Sequence, residues 1–185
     1  MTARATGRLA RALGMTVIAH DPYVDPAHPE LVEIGAHLVG LEELVATSDV
    51  LSVHLPALDS TRGIIDAALL GKARPGLILV NCGRGEVLDE DALADALESG
   101  HLAGAGLDVR AQEPPVPGRL EQLPNVVLTP HIAGITGAAQ RRIGEVLCAD
   151  IRAVLAGEQA SSAVTRAARP ARRAVVPDGG SGGTR

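Results

Sequence analysis

The sequence predicts an α/β fold, in which a doubly wound parallel sheet has helices on both of its faces. Apolar runs rich in β-branched residues recur along the 185-residue chain. Segments with helical spacing of their apolar residues separate these runs. Because a parallel strand pair needs a crossover connection, strands that alternate with helices indicate βαβ units. We expect residues 1–158 to form one domain of this class.

The first part of the chain already alternates between helix and strand. Leu9 and Leu13 lie four residues apart and predict a helix over 2–13, and Gly14 has the place that a C-terminal helix cap prefers. The β-rich stretch 16–20 predicts a strand, and its Asp and Pro content makes 25–29 a loop. Further predictions are a strand at 35–39, a helix at 41–47 and a buried strand at 50–55, which Pro56 stops.

The alternation continues to the longest predicted helix. The predictions are a helix near 65–72, a strand at 77–81, a helix at 90–99 with Asp89 as N-cap and Gly100 as stop, strands at 104–109 and 126–129, and a helix at 137–155. Ile143, Leu147 and Ile151 place an apolar stripe on that last helix. Residues 159–185 are Ala, Arg, Ser, Gly and Pro with little periodicity, which predicts a disordered tail.

Composition and charge exclude several classes of partner. The formal net charge is −5, Tyr23 is the only aromatic residue and Lys72 the only lysine, which argues against nucleic acid or anionic lipid as a partner. No uncharged apolar run approaches the roughly 20 residues that a membrane span needs. Cys82 and Cys148 form no C-x-x-C, and the histidines have no metal-ligand spacing, so we expect a reducing, cytoplasmic setting and no metal.

Three side chains near predicted strand ends suit the oxidation of a 2-hydroxy acid. Arg84 lies between two glycines, where its planar guanidinium suits a carboxylate, although a flexible turn is the alternative. His131 can take a hydroxyl proton near neutral pH, with Glu113 on its other ring nitrogen. Taken singly, His131 could be solvated and Glu113 a loop charge. Complementary groups at one sheet edge favour a site.

Three further residues have both a functional and a structural interpretation. Asp21 follows the strand at 16–20, where a carboxylate can bind adenosine ribose hydroxyls and repel a 2′-phosphate, which favours NAD over NADP; a turn aspartate is equally open. Asp108 could accept a hydrogen bond from the nicotinamide amide, or be a cap or loop charge. Cys82 could be a nucleophile, but without an activating group a packed or cofactor-adjacent residue is favoured.

Several separated motifs resemble the NAD-binding domain of the D-isomer-specific 2-hydroxyacid dehydrogenases. They are VHLP, NCGRGEVLDEDALADALESGHLAGAGLDV, EPP and NVVLTPHIAGIT, in this order and spacing, and they cover about residues 11–157. The NCGRG block is particularly similar to phosphoglycerate and glyoxylate/hydroxypyruvate dehydrogenases. The resemblance implies a Rossmann-like sheet, NAD as cofactor, and a small 2-hydroxy or 2-oxo acid as substrate. It also allows a homodimer formed through the NAD-binding domain.

The resemblance assigns roles to individual residues. Arg84 would bind the substrate carboxylate and carbonyl, His131 would be the acid/base, and Glu113 would pair with His131. Asp21 would hold the adenosine ribose, and Asp108 the nicotinamide amide. The segments that would line NAD are Leu55, Cys82, Gly83, Arg84, His131, Ile132, Ala133 and Gly134.

The chain also departs from the resemblance at its start. Family members place a strand, a G-x-G-x-x-G loop and a substrate domain before the helix that begins here near Thr2, and we expect the chain to lack them. Loss of the central strand would leave its neighbours as unpaired edges or force them to close up. We therefore expect weak NAD binding and no turnover by the chain alone. The alternatives are a non-catalytic NAD-binding or dimerisation module, or the product of a truncated gene.

Overall fold

A computed structural model describes residues 2–163 of the chain. The chain divides into two compact units, of which the first ends at Ala133 and the second begins at Gly134. This division falls before the predicted domain boundary at residue 158. Residues 164–185 of the predicted tail lie outside the described residues.

The first unit contains two parallel sheets. A two-stranded sheet has the order β1-β2, and a four-stranded sheet has the order β3-β4-β5-β6. Parallel pairing throughout confirms the predicted α/β class. The strands are β1 (Ile18–Ala19), β2 (His37–Leu38), β3 (Val50–Val53), β4 (Ile78–Asn81), β5 (Gly104–Leu107) and β6 (Val126–Leu128). The helices of this unit are α1 (Thr2–Ala12), α2 (Pro29–Ile34), α3 (Leu41–Thr47), α4 (Ala67–Leu70) and α5 (Glu90–Glu98), with single 3-10 turns at Gly85–Val87 and Leu120–Gln122.

The two sheets are separate. Among the described residues, no backbone hydrogen bond joins β1 to β3. The structure therefore adopts the first of the two expected arrangements: β1 and β3 are unpaired sheet edges and do not pair with each other. Within the four-stranded sheet the register pairs Val53 with Asn81, and Asn81 with Leu107. The carboxyl ends of β3, β4 and β5 consequently lie level along one edge.

Helix ends follow the local sequence. The Asp89 carboxylate caps α5 by accepting hydrogen bonds from the Asp91 and Ala92 N–H groups, and Gly14 ends α1 with a φ of 82°, as predicted. The sequence did not predict helix α2, which begins at Pro29, the last residue of the predicted loop at 25–29. The N-cap of α2 is His28, whose Nδ1 accepts the Glu30 N–H at 3.3 Å.

One face of the four-stranded sheet forms the core. Leu51, Leu79 and Leu107 point to this face and are at most 6% exposed, because side chains alternate along a strand and this face packs under α4 and α5. The opposite face leaves Ile78 43% and Val127 66% exposed.

The second unit is built on α6 (Gly137–Leu155), as predicted. Thr136 caps α6 because its hydroxyl accepts the Ala139 N–H at 3.0 Å. The predicted apolar stripe is exposed, and Ile143, for example, is 57% accessible. No helix in the described part of the chain has the length and apolar character needed to cross a membrane.

Candidate active site

Arg84, Glu113 and His131 line one cavity of about 350 Å³. They follow β4, β5 and β6 respectively, and these neighbouring parallel strands place their carboxyl ends at one sheet edge. Residues that are 47 positions apart in the sequence therefore meet in one site. The other lining residues are Gly85, Glu86, Val109, Arg110 and Ala111.

Glu113 and His131 form a direct pair. The His131 Nδ1 lies 2.7 Å from Glu113 Oε2, and Glu113 Oε1 accepts the Arg110 N–H at 3.1 Å. The hydrogen bond with His131, followed by the one from Arg110, lowers the pKa of the Glu113 carboxyl below its usual value. His131 has a φ of 56°, in the left-handed region that a non-glycine residue seldom adopts. Glu113 is thus ionised at neutral pH and bonded to the imidazole.

Asp108 holds the segment that carries His131. The residue is 5% exposed, and its two oxygens accept the Ile132 and Ala133 N–H groups, each at 2.9 Å, and the Thr129 hydroxyl. Burial pushes its pKa upward, but these hydrogen bonds outweigh burial and the net pKa is lowered. Both oxygens are already engaged, so the hydrogen bond to a nicotinamide amide, which stays a prediction, would be additional to them.

Asn81 shapes the loop that carries Arg84. Its fully buried side chain donates through Nδ2 to the Arg84 carbonyl at 2.9 Å and accepts the Gly83 N–H through Oδ1 at 3.0 Å. The Arg84 side chain is exposed and donates to the Gly83 carbonyl at 2.8 Å. A Cβ at Gly83 would lie 3.3 Å from the Val53 carbonyl and 3.4 Å from that of Leu55. The loop therefore lies against the segment after β3.

Gly85 joins this loop to the segment after β5. A Cβ built on Gly85 would lie 2.0 Å from the Arg110 carbonyl carbon, 2.1 Å from its oxygen and 2.4 Å from the Ala111 nitrogen. Since real Cβ atoms do not approach so closely, only glycine fits here without moving backbone. The backbones that carry Arg84 and Glu113 are consequently in direct contact.

The sequence reasoning missed Asn81, Gly85 and Arg110. An asparagine that ends a buried apolar strand was the available signal for Asn81, because a buried amide needs hydrogen-bond partners. The alternation of glycine around Arg84 was a weaker signal for a close approach at Gly85. No local pattern pointed to Arg110, whose partners lie 11 and 20 positions away.

The predicted cofactor residues of the first unit also follow strand ends. Asp21 is exposed after β1, and one of its oxygens accepts the Tyr23 N–H at 3.0 Å, which leaves room for a ribose hydroxyl. Cys82 is exposed as a residue. The partial desolvation of its thiol, followed by the Asp108 charge, nevertheless raises the thiol pKa, which argues against an activated nucleophile. Gly134 belongs to the second unit.

This fold and the carboxylate after β1 are those of a dinucleotide-binding domain. The Asp21 carboxylate, which suits a ribose, follows the parallel strand β1. Arg84 and the Glu113–His131 pair line one cavity. Residues 2–133 match the family described as D-isomer specific 2-hydroxyacid dehydrogenase, NAD binding domain. The chain belongs to this family, and its cofactor is NAD.

Relatives of the chain carry the same kind of domain. The D-3-phosphoglycerate dehydrogenase of Mycobacterium tuberculosis is 46% identical over 83% of this chain, which spans 29% of that relative. The structure of Lactobacillus jensenii D-lactate dehydrogenase with NAD+ aligns with a TM-score of 0.80 at 30% identity, covering 88% of this chain and 52% of that one. The holo form of Rhodotorula graminis D-mandelate dehydrogenase aligns with a TM-score of 0.79 at 34% identity, covering 85% and 46%.

Proposed function

We propose that this chain provides the NAD-binding part and the acid/base residues of an oxidoreductase that acts on the CH-OH group of a D-2-hydroxy acid. The observation that carries the proposal is the 2.7 Å contact of His131 Nδ1 with Glu113 Oε2, in the cavity that Arg84 also lines. A carboxylate-binding cation next to a paired imidazole is what a 2-hydroxy acid requires at its carboxylate and its hydroxyl.

Each of the three residues has a distinct task in this proposal. The Arg84 fork holds the substrate carboxylate through two parallel hydrogen bonds. His131 uses Nδ1 toward Glu113, which leaves Nε2 to take the hydroxyl proton during oxidation and to return it during reduction. The ionised Glu113 fixes the ring and stabilises the imidazolium that forms. NAD supplies the hydride acceptor when it is bound.

The residues proposed to hold NAD fit that cofactor chemically. The exposed Asp21 carboxylate can accept hydrogen bonds from the adenosine ribose. Leu55, Cys82, Gly83, Ile132 and Ala133 would line the cofactor with backbone and small or apolar side chains. Asp108 supports this surface by holding the Ile132 and Ala133 N–H groups. Gly134 and the nicotinamide contact of Asp108 belong to the proposal on the family resemblance alone.

We also propose a homodimer and a cytoplasmic setting. The resemblance of the chain to a family that dimerises through its NAD-binding domain supports the homodimer. Two free, exposed cysteines, Cys82 and Cys148, suit a reducing compartment. Sedimentation velocity across a concentration series tests the dimer, and a monomer at every concentration would contradict it.

Cofactor binding is the first test of the proposed function. Titration of the isotope-labelled chain with NAD should shift the backbone amide signals of Leu55, Cys82, Gly83, Ile132 and Ala133. Asp21→Ala should weaken the binding, whereas Asp25→Ala, in the neighbouring loop, should leave it unchanged. An unchanged spectrum of the native chain throughout the titration would contradict the proposal.

Turnover is the second test. The loss of NADH absorbance is followed with a 2-oxo acid such as glyoxylate. Whatever rate the chain supports should fall about 10²- to 10⁴-fold in His131→Gln, the usual contribution of a general acid/base. Arg84→Gln should raise the KM for the oxo acid. If the native chain has a measurable rate, a His131→Gln chain that keeps this rate would refute the role of the imidazole; a native chain without turnover agrees with the expectation that the chain alone is inactive.

A further inference from the structure

Arg110 lies three residues after the end of β5, and two carboxylates hold its side chain. The side chain is 10% exposed. Its Nε and Nη2 donate to the two oxygens of Glu90 at 3.0 and 2.8 Å, and its Nη1 forms an ion pair with Glu121. A planar guanidinium bonded in this bidentate way has little freedom to rotate. The hydrogen bonds of Arg110 with Glu90, followed by those with Glu121, raise the pKa of Arg110 despite its burial, so the cation is permanent.

The same two carboxylates also hold backbone on either side of Glu113. Glu90 Oε1 accepts the Ala111 N–H at 2.7 Å, and Glu121 Oε2 accepts the Gly118 N–H at 2.8 Å. Glu90 is the first residue of α5, so the segment after β5 is tied to a helix in the core. These contacts leave the Arg110 backbone in one position.

The Arg110 backbone in turn meets both halves of the site. Its N–H donates to Glu113 Oε1 at 3.1 Å, while Glu113 Oε2 contacts His131 Nδ1 at 2.7 Å. Its carbonyl group is the surface on which Gly85 packs, next to Arg84. Any displacement of the Arg110 backbone would therefore move the Glu113 carboxylate relative to the imidazole.

We infer that Arg110 is a positioning residue, whose ion pairs with Glu90 and Glu121 fix the backbone N–H that holds Glu113 against His131. The inference rests on the proposed function for its importance, since it concerns the acid/base pair. Arg110 acts through Glu113 and does not itself transfer a proton. Without the guanidinium, the Arg110 backbone and the Glu113 carboxylate bonded to it become more mobile. The carboxylate then no longer fixes the orientation and the protonated nitrogen of the His131 ring.

The experiment compares Arg110→Met with a matched control in the same loop. Arg119 is also an arginine with ion pairs to two carboxylates of α5, Asp95 and Glu98, both at 2.7 Å. Within the described residues, however, it makes no hydrogen bond to Glu113 or His131. Arg119→Met removes the ion pairs of a more exposed arginine, whose side chain is 42% accessible, and leaves the proposed link intact.

The readout is the ¹⁵N and ring N–H spectrum of His131 in the full 185-residue chain near neutral pH. The native chain should show the ring ¹⁵N shifts of one form, in which Nδ1 carries the proton that faces Glu113. In Arg110→Met these ring ¹⁵N shifts should move toward those of Glu113→Gln, and Arg110→Lys should recover part of the change. Arg119→Met should keep the native spectrum. Thermal unfolding of each variant is recorded in parallel.

Several results would overturn the inference. A folded Arg110→Met chain with the native His131 spectrum would do so, and so would an equal change in Arg119→Met. If Arg110→Met does not fold, Glu121→Gln removes one arm of the network, and its His131 spectrum is judged in the same way. Because the readout needs neither NAD nor substrate, a chain that does not bind NAD contradicts only the proposed function.

Discussion

Replacement of Gly85 by alanine should destabilise the first unit strongly. The added Cβ would lie 2.0 Å from the Arg110 carbonyl carbon, whereas ordinary contact begins at 3.4 Å, so backbone must move by the difference of about 1.4 Å. Overpacking costs about 1–3 kcal/mol when flexible side chains can yield. Because the obstructing atoms here are backbone, we expect about 3 kcal/mol or more. That is a large part of the ~5–15 kcal/mol that stabilises a typical domain.

Thermal and urea unfolding, followed by circular dichroism, measure this change. A loss of about 3 kcal/mol corresponds to a Tm lower by roughly 6–12 °C in a chain of this size. Gly106→Ala is the control, because the nearest atom to its new Cβ would be Val80 Cγ2 at 4.0 Å. It should leave stability unchanged or raise it by up to about 1 kcal/mol. A Gly85→Ala chain that unfolds together with the Gly106→Ala chain would refute the reasoning.

Three further predictions follow from single residues. Asp108→Asn turns one acceptor into a donor that faces a buried N–H, so urea unfolding should show a loss of about 1–3 kcal/mol; an unchanged midpoint would contradict the described contacts. Because the folded pKa of Asp108 is lowered, its contribution is complete above the ordinary value of 3.8 and is lost as the pH falls through the folded pKa. The difference in stability between native and Asp108→Asn chains should therefore shrink in acid. Asp89→Ala should cost about 0.5–2 kcal/mol through the lost cap of α5, against little change for Asp95→Ala. With its raised pKa, Cys82 should react with iodoacetamide more slowly than glutathione at equal pH, as measured by mass spectrometry, and a faster reaction would contradict the raised pKa.

The sequence predicted a candidate site because strand ends leave a local signature. A β-rich run followed by Gly or Pro marks the end of a parallel strand, and this pattern predicted that Arg84 and His131 lie at one sheet edge. Their contact partners were harder to foresee. Arg110 meets Glu90 across 20 positions, and neither residue belongs to a pattern that periodicity detects.

Two features of the fold were also beyond local reasoning. Helix α2 spans six residues, too few for helical periodicity to separate it from the loop before it. The exposure of Ile78 and Val127 on one face of the four-stranded sheet is the second feature. Strand alternation shows which residues share a face, but it does not show whether another element covers that face.

The contacts of Asp108 imply an order of assembly for the site. Its oxygens, just after the end of β5, accept hydrogen bonds from N–H groups 24 and 25 positions further along the chain. Closing a chain segment of this length costs entropy, so we expect these bonds to form only after β5 and β6 have paired. We therefore expect His131, beside those N–H groups, to reach its final position after the strands have paired. The Glu113–His131 pair would then form after most of the hydrophobic core is in place.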